Sequence, residues 1–187
     1  DFNYAIRWAS QNGHTETVAL LLTDPRVDPA AFSNHAVRMA SQNGHTEAVA
    51  LLLADPRVDP ADNANFAIRK ASEHGHTETV ALLLADPRAD PAVSSNYAIR
   101  FAARFGHTET VALLLADPRV DPAADSNYAI RMASSFGHAE TVALLLTNPR
   151  VDPSANFDEA IRVASRNGHT ETVALLSSDP RVTPPSP

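Results

Sequence analysis

Gly13-His14-Thr15-Glu16-Thr17-Val18-Ala19-Leu20-Leu21-Leu22 is one of six near-copies of the same stretch in a chain of 187 residues. The Gly-His pair stands at Gly13/His14, Gly44/His45, Gly75/His76, Gly106/His107, Gly137/His138 and Gly168/His169, a constant spacing of 31 residues without insertion. A fixed period in this range is the signature of stacked supersecondary units. Each unit buries its apolar surface only against its neighbours.

Working outward from that stretch gives one repeat. Thr15 is placed to cap a helix, with Glu16 in its first turn at the positive dipole end. Val18, Leu21 and Leu22 fall at i, i+3 and i+4, a buried stripe. Asp24-Pro25 stops this helix, since proline lacks an N–H and disfavours helical geometry before it. Upstream, Asn3 precedes Tyr4-Ala5-Ile6-Arg7-Trp8-Ala9-Ser10-Gln11. Asn is a strong N-cap, so a first helix is predicted from about Tyr4, with Asn34, Asn65, Asn96, Asn127 and Asp158 as the later caps. Gly13 ends that helix as a C′ glycine. Each unit therefore reads helix, tight turn, helix, Pro-bounded loop. Helices of about eight residues are too short to stand alone, so stacking supplies the core.

The whole chain adds exclusions. A formal net charge of -7 argues against nucleic acid and against an anionic membrane surface. The absence of cysteine removes disulfides, thiolate metal sites and a Cys nucleophile. No apolar run reaches the roughly 18 residues of a membrane span. The chain opens on Asp1, so any targeting signal lies out of view and the compartment stays open: cytoplasmic, or secreted and delivered into a host cell.

These residues resemble ankyrin repeats. The family pattern Thr-Pro-Leu-His-x-Ala-Ala-x-x-Gly-His-x-x-x-Val-x-x-Leu-Leu is matched from Ile6 through Ala9, then over Gly13-His14, Val18 and Leu20-Leu22, and again in every later repeat. Tyr4-Ala5-Ile6-Arg7 replaces Thr-Pro-Leu-His, and Asp24-Pro25-Arg26-Val27-Asp28-Pro29 replaces the usual hairpin segment, so a long β-hairpin finger is not expected. This Asp-Pro-Arg-Val-Asp-Pro variety is similar to arrays of protists and giant viruses, some of which act on host proteins. The resemblance implies an all-α solenoid of six 31-residue helix-turn-helix units, about 1–29, 30–60, 61–91, 92–122, 123–153 and 154–182. A Pro-rich tail over 183–187 follows, with Thr183-Pro184 and Ser186-Pro187 in the form of proline-directed phosphorylation sites.

Two arrangements with the look of chemistry read as scaffold. Equivalent histidines in neighbouring repeats should lie about 10 Å apart, as packed helices do, whereas zinc ligands all lie about 2 Å from one ion. The Asp24/Asp28 pair lacks the clustered carboxylates of a calcium loop. Two arginine ladders, Arg7 through Arg162 and Arg26 through Arg181, run beside a periodic glutamate series, Glu16 through Glu171, and predict ion pairing between repeats. No nucleophile–base constellation or phosphate loop emerges, so neither an enzyme nor a cofactor or metal is expected.

Function lies where the repeats disagree. Identical repeats share one packing problem, so variable positions are free for another purpose. The second helix hardly varies. The first varies on one stripe, positions 4, 8, 11 and 12 of the unit. All eleven aromatics lie on that stripe or in the loop before it. Aromatics, Met and Arg are the residue types enriched at interface hot spots. Repeats three to five hold the densest set: Lys70, Glu73, His74, Tyr97, Phe101, Arg104, Phe105, Tyr128, Met132, Ser135 and Phe136. In ankyrin repeats this helix lines a concave groove, and the residues before Gly-His are habitual partner contacts. The expectation is a monomer that binds a partner protein, such as a host signalling protein engaged by a pathogen effector. The alternative is a structural repeat segment of a larger intracellular protein, or an engineered array. The helix-start aromatics could equally be packed between repeats.

Overall fold

The structure is a computed structural model, and it describes residues 2–183. The segment 184–187, and with it most of the expected tail and its phosphorylation motifs, lies outside the described residues. Among the described residues there are twelve helices and no strand. The first helices of the repeats are α1 (Phe2–Gln11), α3 (Ala31–Gln42), α5 (Asp62–Glu73), α7 (Val93–Arg104), α9 (Ala124–Ser135) and α11 (Ala155–Arg166). The second helices are α2 (Thr15–Leu22), α4 (Thr46–Leu53), α6 (Thr77–Ala85), α8 (Thr108–Ala116), α10 (Ala139–Leu146) and α12 (Thr170–Ser177). This is the repeat solenoid expected, and none of the helices is long and apolar enough to cross a membrane. The chain divides into two compact bodies of three repeats each, Asp1–Val93 and Ser94–Pro187.

Within each body the core comes from matched positions. Ile68, Ala71, Val80 and Leu83 are fully buried in one repeat, and Ile130, Ala133, Val142 and Leu145 are their equivalents two repeats on. The tight turn closes as a Schellman motif: His45 N–H donates to Ala40 O at 2.9 Å and Gly44 N–H to Ser41 O at 3.3 Å. The histidine after the glycine then reaches back to the preceding repeat. Nε2 of His45, His76, His138 and His169 lies 3.0 Å from the carbonyl oxygens of Gln11, Gln42, Arg104 and Ser135. This contact explains the invariant pair. A Cβ at Gly106 would sit 2.6 Å from His138 Nδ1, and φ there is +73°.

Three details differ from the sequence reading. First, in repeats two to six the segment before the regular first helix is a left-handed turn, for example Phe32-Ser33-Asn34 with φ of 57°, 56° and 53°. The right-handed helix begins one residue later, at His35, as the cap position predicts. The asparagine, however, does not cap it. Asn34 Oδ1 accepts from Asp59 N–H at 2.8 Å, and Asn65, Asn96 and Asn127 hold Asp90, Asp121 and Asp152 in the same way. Asparagine tolerates the left-handed region and supplies a short acceptor, which fits it for this clamp.

Second, among the described residues no ion pair joins the arginine ladders to the glutamate series. The Arg7-type side chains serve the left-handed turn: Arg38 Nε donates to Ser33 O at 2.7 Å and Arg131 Nε to Ser126 O at 2.9 Å. Their inter-repeat carboxylate partners are Asp125 for Arg100 and Glu159 for Arg131. The Arg26-type side chains fold onto the aspartate two residues before them, as Arg57 does on Asp55 at 2.6 Å. Arg57 Nη1 also reaches the preceding repeat at Val27 O, 2.9 Å away. Hydrogen bonds from Arg26 hold the Asp24 carboxyl down at about 2, and the same arrangement lowers Asp55, Asp86, Asp117 and Asp179. Left to solvent, the Glu16-type residues are exposed.

Third, the threonine at the start of the second helix is no cap; that position belongs to the histidine, which makes no side-chain cap hydrogen bond. Thr46 Oγ1 instead meets Thr79 Oγ1 at 2.8 Å, and Thr108 meets Thr141 at 2.7 Å, each across a repeat boundary.

Candidate binding surface

The variable stripe is built on the first helices. In the C-terminal body, α7 carries Tyr97, Phe101 and Arg104, with Phe105 just beyond its end, and α9 carries Tyr128, Met132 and Ser135, with Phe136 beyond. Spacings of four residues bring the rings of α7 into a row. Tyr97 and Phe101 stack at 3.9 Å between centroids with planes 9° apart. Phe101 then meets Phe105 at 6.4 Å and, across the repeat boundary, Tyr128 at 6.2 Å. The last two separations are in the favourable range for aromatic pairs. Tyr97, Phe101, Tyr128 and Met132 are half-buried. The helix-start rings are thus largely packed, forming a floor between repeats. Phe105 and Phe136 are different: they remain 46% and 50% exposed.

Arg104 sits in the middle of this cluster. Its guanidinium carbon lies 5.8, 5.6 and 5.5 Å from the ring centroids of Phe101, Phe105 and Phe136. Nη1 makes one long hydrogen bond to the Tyr128 hydroxyl at 3.4 Å. Nε is buried and has no hydrogen-bond partner. The Ser135 backbone carbonyl lies 3.0 Å from His169 Nε2 and accepts from Asn167 Nδ2 at 2.8 Å, so the main chain at this stripe position takes part in the contact between repeats.

In the N-terminal body the expected polar residues lie together on and just after α5. Lys70 Nζ and Glu73 Oε2 form an ion pair at 2.5 Å, and His74 Nδ1 hydrogen bonds to Lys70 O at 2.8 Å. His74 also stacks on His76 at 6.0 Å. Two features of this body were not foreseen. Leu20 is 72% exposed on the second helix of the first repeat. Half-buried His35 stands where four of the other repeats carry an aromatic ring, and desolvation, with Arg38 and Arg7 nearby, lowers its pKa. Among the described residues no group of His, Asp and Glu is placed to hold a metal ion. The Asp28-type carboxylates instead close their own loops, as Asp59 Oδ1 does by accepting from Ala61 N–H at 2.9 Å.

Comparison with known proteins is consistent with this architecture. A family model described as ankyrin repeats, three copies, matches residues 5–95 and again 99–184. The crystal structure of EF0377, an ankyrin repeat protein, superposes with a TM-score of 0.77 at 27% identity over 94% of this chain and 98% of that one. The human ASB11 ankyrin repeat domain gives a TM-score of 0.73 at 19% identity, over 92% of this chain and 81% of that one. An ankyrin repeat domain from Acinetobacter baumannii AYE gives 0.71 at 22%, over 93% of this chain and 96% of that one. These last two speak to the fold alone. Against curated proteins the sequence finds no match. With both halves of its length matched by the family model and the helix pairs, turns and stacking contacts in place, the chain belongs to the ankyrin repeat family.

Proposed function

We propose that this chain is a non-enzymatic protein-binding module whose contact surface in the C-terminal body is the first-helix face of α7 and α9. Phe101, Phe105, Met132 and Phe136 are its apolar anchors, Tyr97 and Tyr128 its packed floor, and Arg104 its polar centre. On the N-terminal body, Lys70, Glu73 and His74 form a separate polar patch on α5 that selects among partners.

The observation that carries this reading is the exposure of Phe105 and Phe136. The residue before Gly-His is Asn12, Asn43, His74 and Asn167 in the other repeats, so the turn itself has no need of a ring. Two half-exposed phenylalanines in adjacent repeats, resting on a row of stacked rings, have the composition of an interface core. Ankyrin repeats act generally as protein–protein interaction modules, and EF0377 is a family member at 27% identity. Protein binding through variable first-helix residues is therefore the economical account.

The test replaces each ring by the residue other repeats use. The Phe105→Asn, Phe136→Asn double variant and the wild type are immobilised side by side, exposed to lysate of the source organism, and their captured proteins identified by mass spectrometry. Hot-spot aromatics are worth about 2 kcal/mol or more each, a loss of roughly 30-fold in affinity per ring. A protein retained by wild type and lost by a double variant with an unchanged melting temperature supports the surface. Identical captured sets would refute it.

A further inference from the structure

Arg104 lies on the variable stripe, off both arginine ladders, and differs from the neighbouring arginines that hold a carboxylate. Arg100 pairs with Asp125 and Arg131 with Glu159, while Arg57, Arg88 and Arg181 each hold the aspartate two residues before them. Among the described residues no carboxylate pairs with Arg104. Its positive charge is partly withdrawn from water, its Nε is buried without an acceptor, and Nη1 has only the 3.4 Å contact to Tyr128. The ring centroids of Phe101, Phe105 and Phe136 all lie 5.5 to 5.8 Å from the guanidinium carbon. Such rings position a cation and lower the local dielectric, but they accept no hydrogen bonds. A half-buried arginine with unfilled donors strengthens its preference for an anion brought to it.

We propose that the partner segment presents an aspartate or glutamate side chain to Arg104, flanked by an apolar side chain that lies against Phe105 or Phe136. This rests on the protein-binding reading above and names the chemistry that reading leaves open. A carboxylate matches the guanidinium fork, and a single arginine is matched by a single negative charge. The apolar flank follows from the two half-exposed rings beside Arg104. A polyanion fits poorly, because the chain carries a net charge of -7 and the ladder arginines of α7 and α9, Arg100 and Arg131, are already paired.

The experiment uses the full chain and a phage-displayed library of random twelve-residue peptides, followed by binding measurements on the synthetic winners. Enriched peptides are expected to carry Asp or Glu within two residues of an aromatic or aliphatic side chain. Their affinity should fall at least tenfold on Asp→Asn or Glu→Gln in the peptide, and equally on Arg104→Met in the protein. Arg104→Lys should lose less, because it keeps the charge and gives up only the fork. The Arg104→Met melting temperature should fall little, since only the long contact to Tyr128 and the cation–π contacts are lost and the Met side chain keeps apolar packing against the same rings; this separates recognition from folding. Peptides that lack an acidic residue, or that bind Arg104→Met as well as wild type, would overturn the inference. If those same peptides are lost on Phe136→Asn, the protein-binding reading stands and only the carboxylate falls. A library that yields no binder at all also overturns it, because the surface then accepts no linear segment of this kind.

Discussion

Replacing Ala139 with threonine should stabilise the C-terminal repeat, and the reason is a gap in a ladder. A threonine at the start of one second helix meets a threonine two positions later in the next repeat: Thr46 with Thr79 at 2.8 Å and Thr108 with Thr141 at 2.7 Å. The last such step would join position 139 to Thr172. Position 139 is alanine, and Thr172 Oγ1 is buried with no hydrogen-bond partner, the residue being 1% exposed. An internal hydrogen bond contributes about 1 kcal/mol net, and an orphaned buried hydroxyl costs about 1–3 kcal/mol. Against this stands the lower helix propensity of threonine, at most about 0.7 kcal/mol and less at a first helical position. The expected gain is about 1 kcal/mol, or roughly 2–4 °C in melting temperature for a chain of this size. Calorimetric melts of Ala139→Thr, Thr172→Val and the double variant complete a mutant cycle. Thr172→Val alone should be neutral or stabilising, whereas in the Ala139→Thr background it should cost stability. Amide exchange in α12 reads the effect locally, since repeat arrays open from their ends. Ala139→Val controls for added volume. If Ala139→Thr melts no higher than Ala139→Val, or the cycle shows no coupling, the ladder is not a stabilising element and the reasoning is wrong.

The glycines of the turn and the loop carboxylates supply two further tests. Gly106→Ala should cost more than Gly168→Ala by denaturant titration. Both sites have positive φ, +73° and +77°, but only at Gly106 does a Cβ meet a neighbour, His138 Nδ1 at 2.6 Å, while nothing lies within 4 Å at Gly168; the shared backbone strain is about 1 kcal/mol, and any excess is the lost fit against His138. Stability should also fall with acid in two windows. Asp24, at about 2 in the fold, and the other lowered loop aspartates contribute stability that is fully present above the unfolded value near 4 and is lost as pH falls through their folded values. His35, lowered by burial, contributes stability that is complete above about 6.5 and declines below it, so His35→Phe should remove the upper window and leave the lower one in a series of melts against pH.

The period of 31, the C′ glycine, the Val-Leu-Leu stripe and the Asp-Pro stop determine the architecture without any structure, because each is a local rule repeated six times. The helix start at His35 and the exposure of Phe105 and Phe136 were legible for the same reason: comparing repeats separates what stacking demands from what it leaves free. Which atoms meet across a repeat boundary was not legible. Asn34 looked like a cap, yet its oxygen serves the loop at Asp59, 25 residues on. Arg57 looked like an ion-pair partner for a neighbouring glutamate, yet it turns back on Asp55 and onto the carbonyl of Val27. Thr46 looked like a helix cap, yet its hydroxyl goes to Thr79. Long or branched polar side chains have several partners within reach along the sequence, and only the stacking of one repeat on the next selects among them. The same holds for Arg104: its presence on the stripe is a fact of sequence, but that its Nε lacks an acceptor amid three phenyl rings depends on side chains from two neighbouring repeats, and it took the tertiary structure to bring them together.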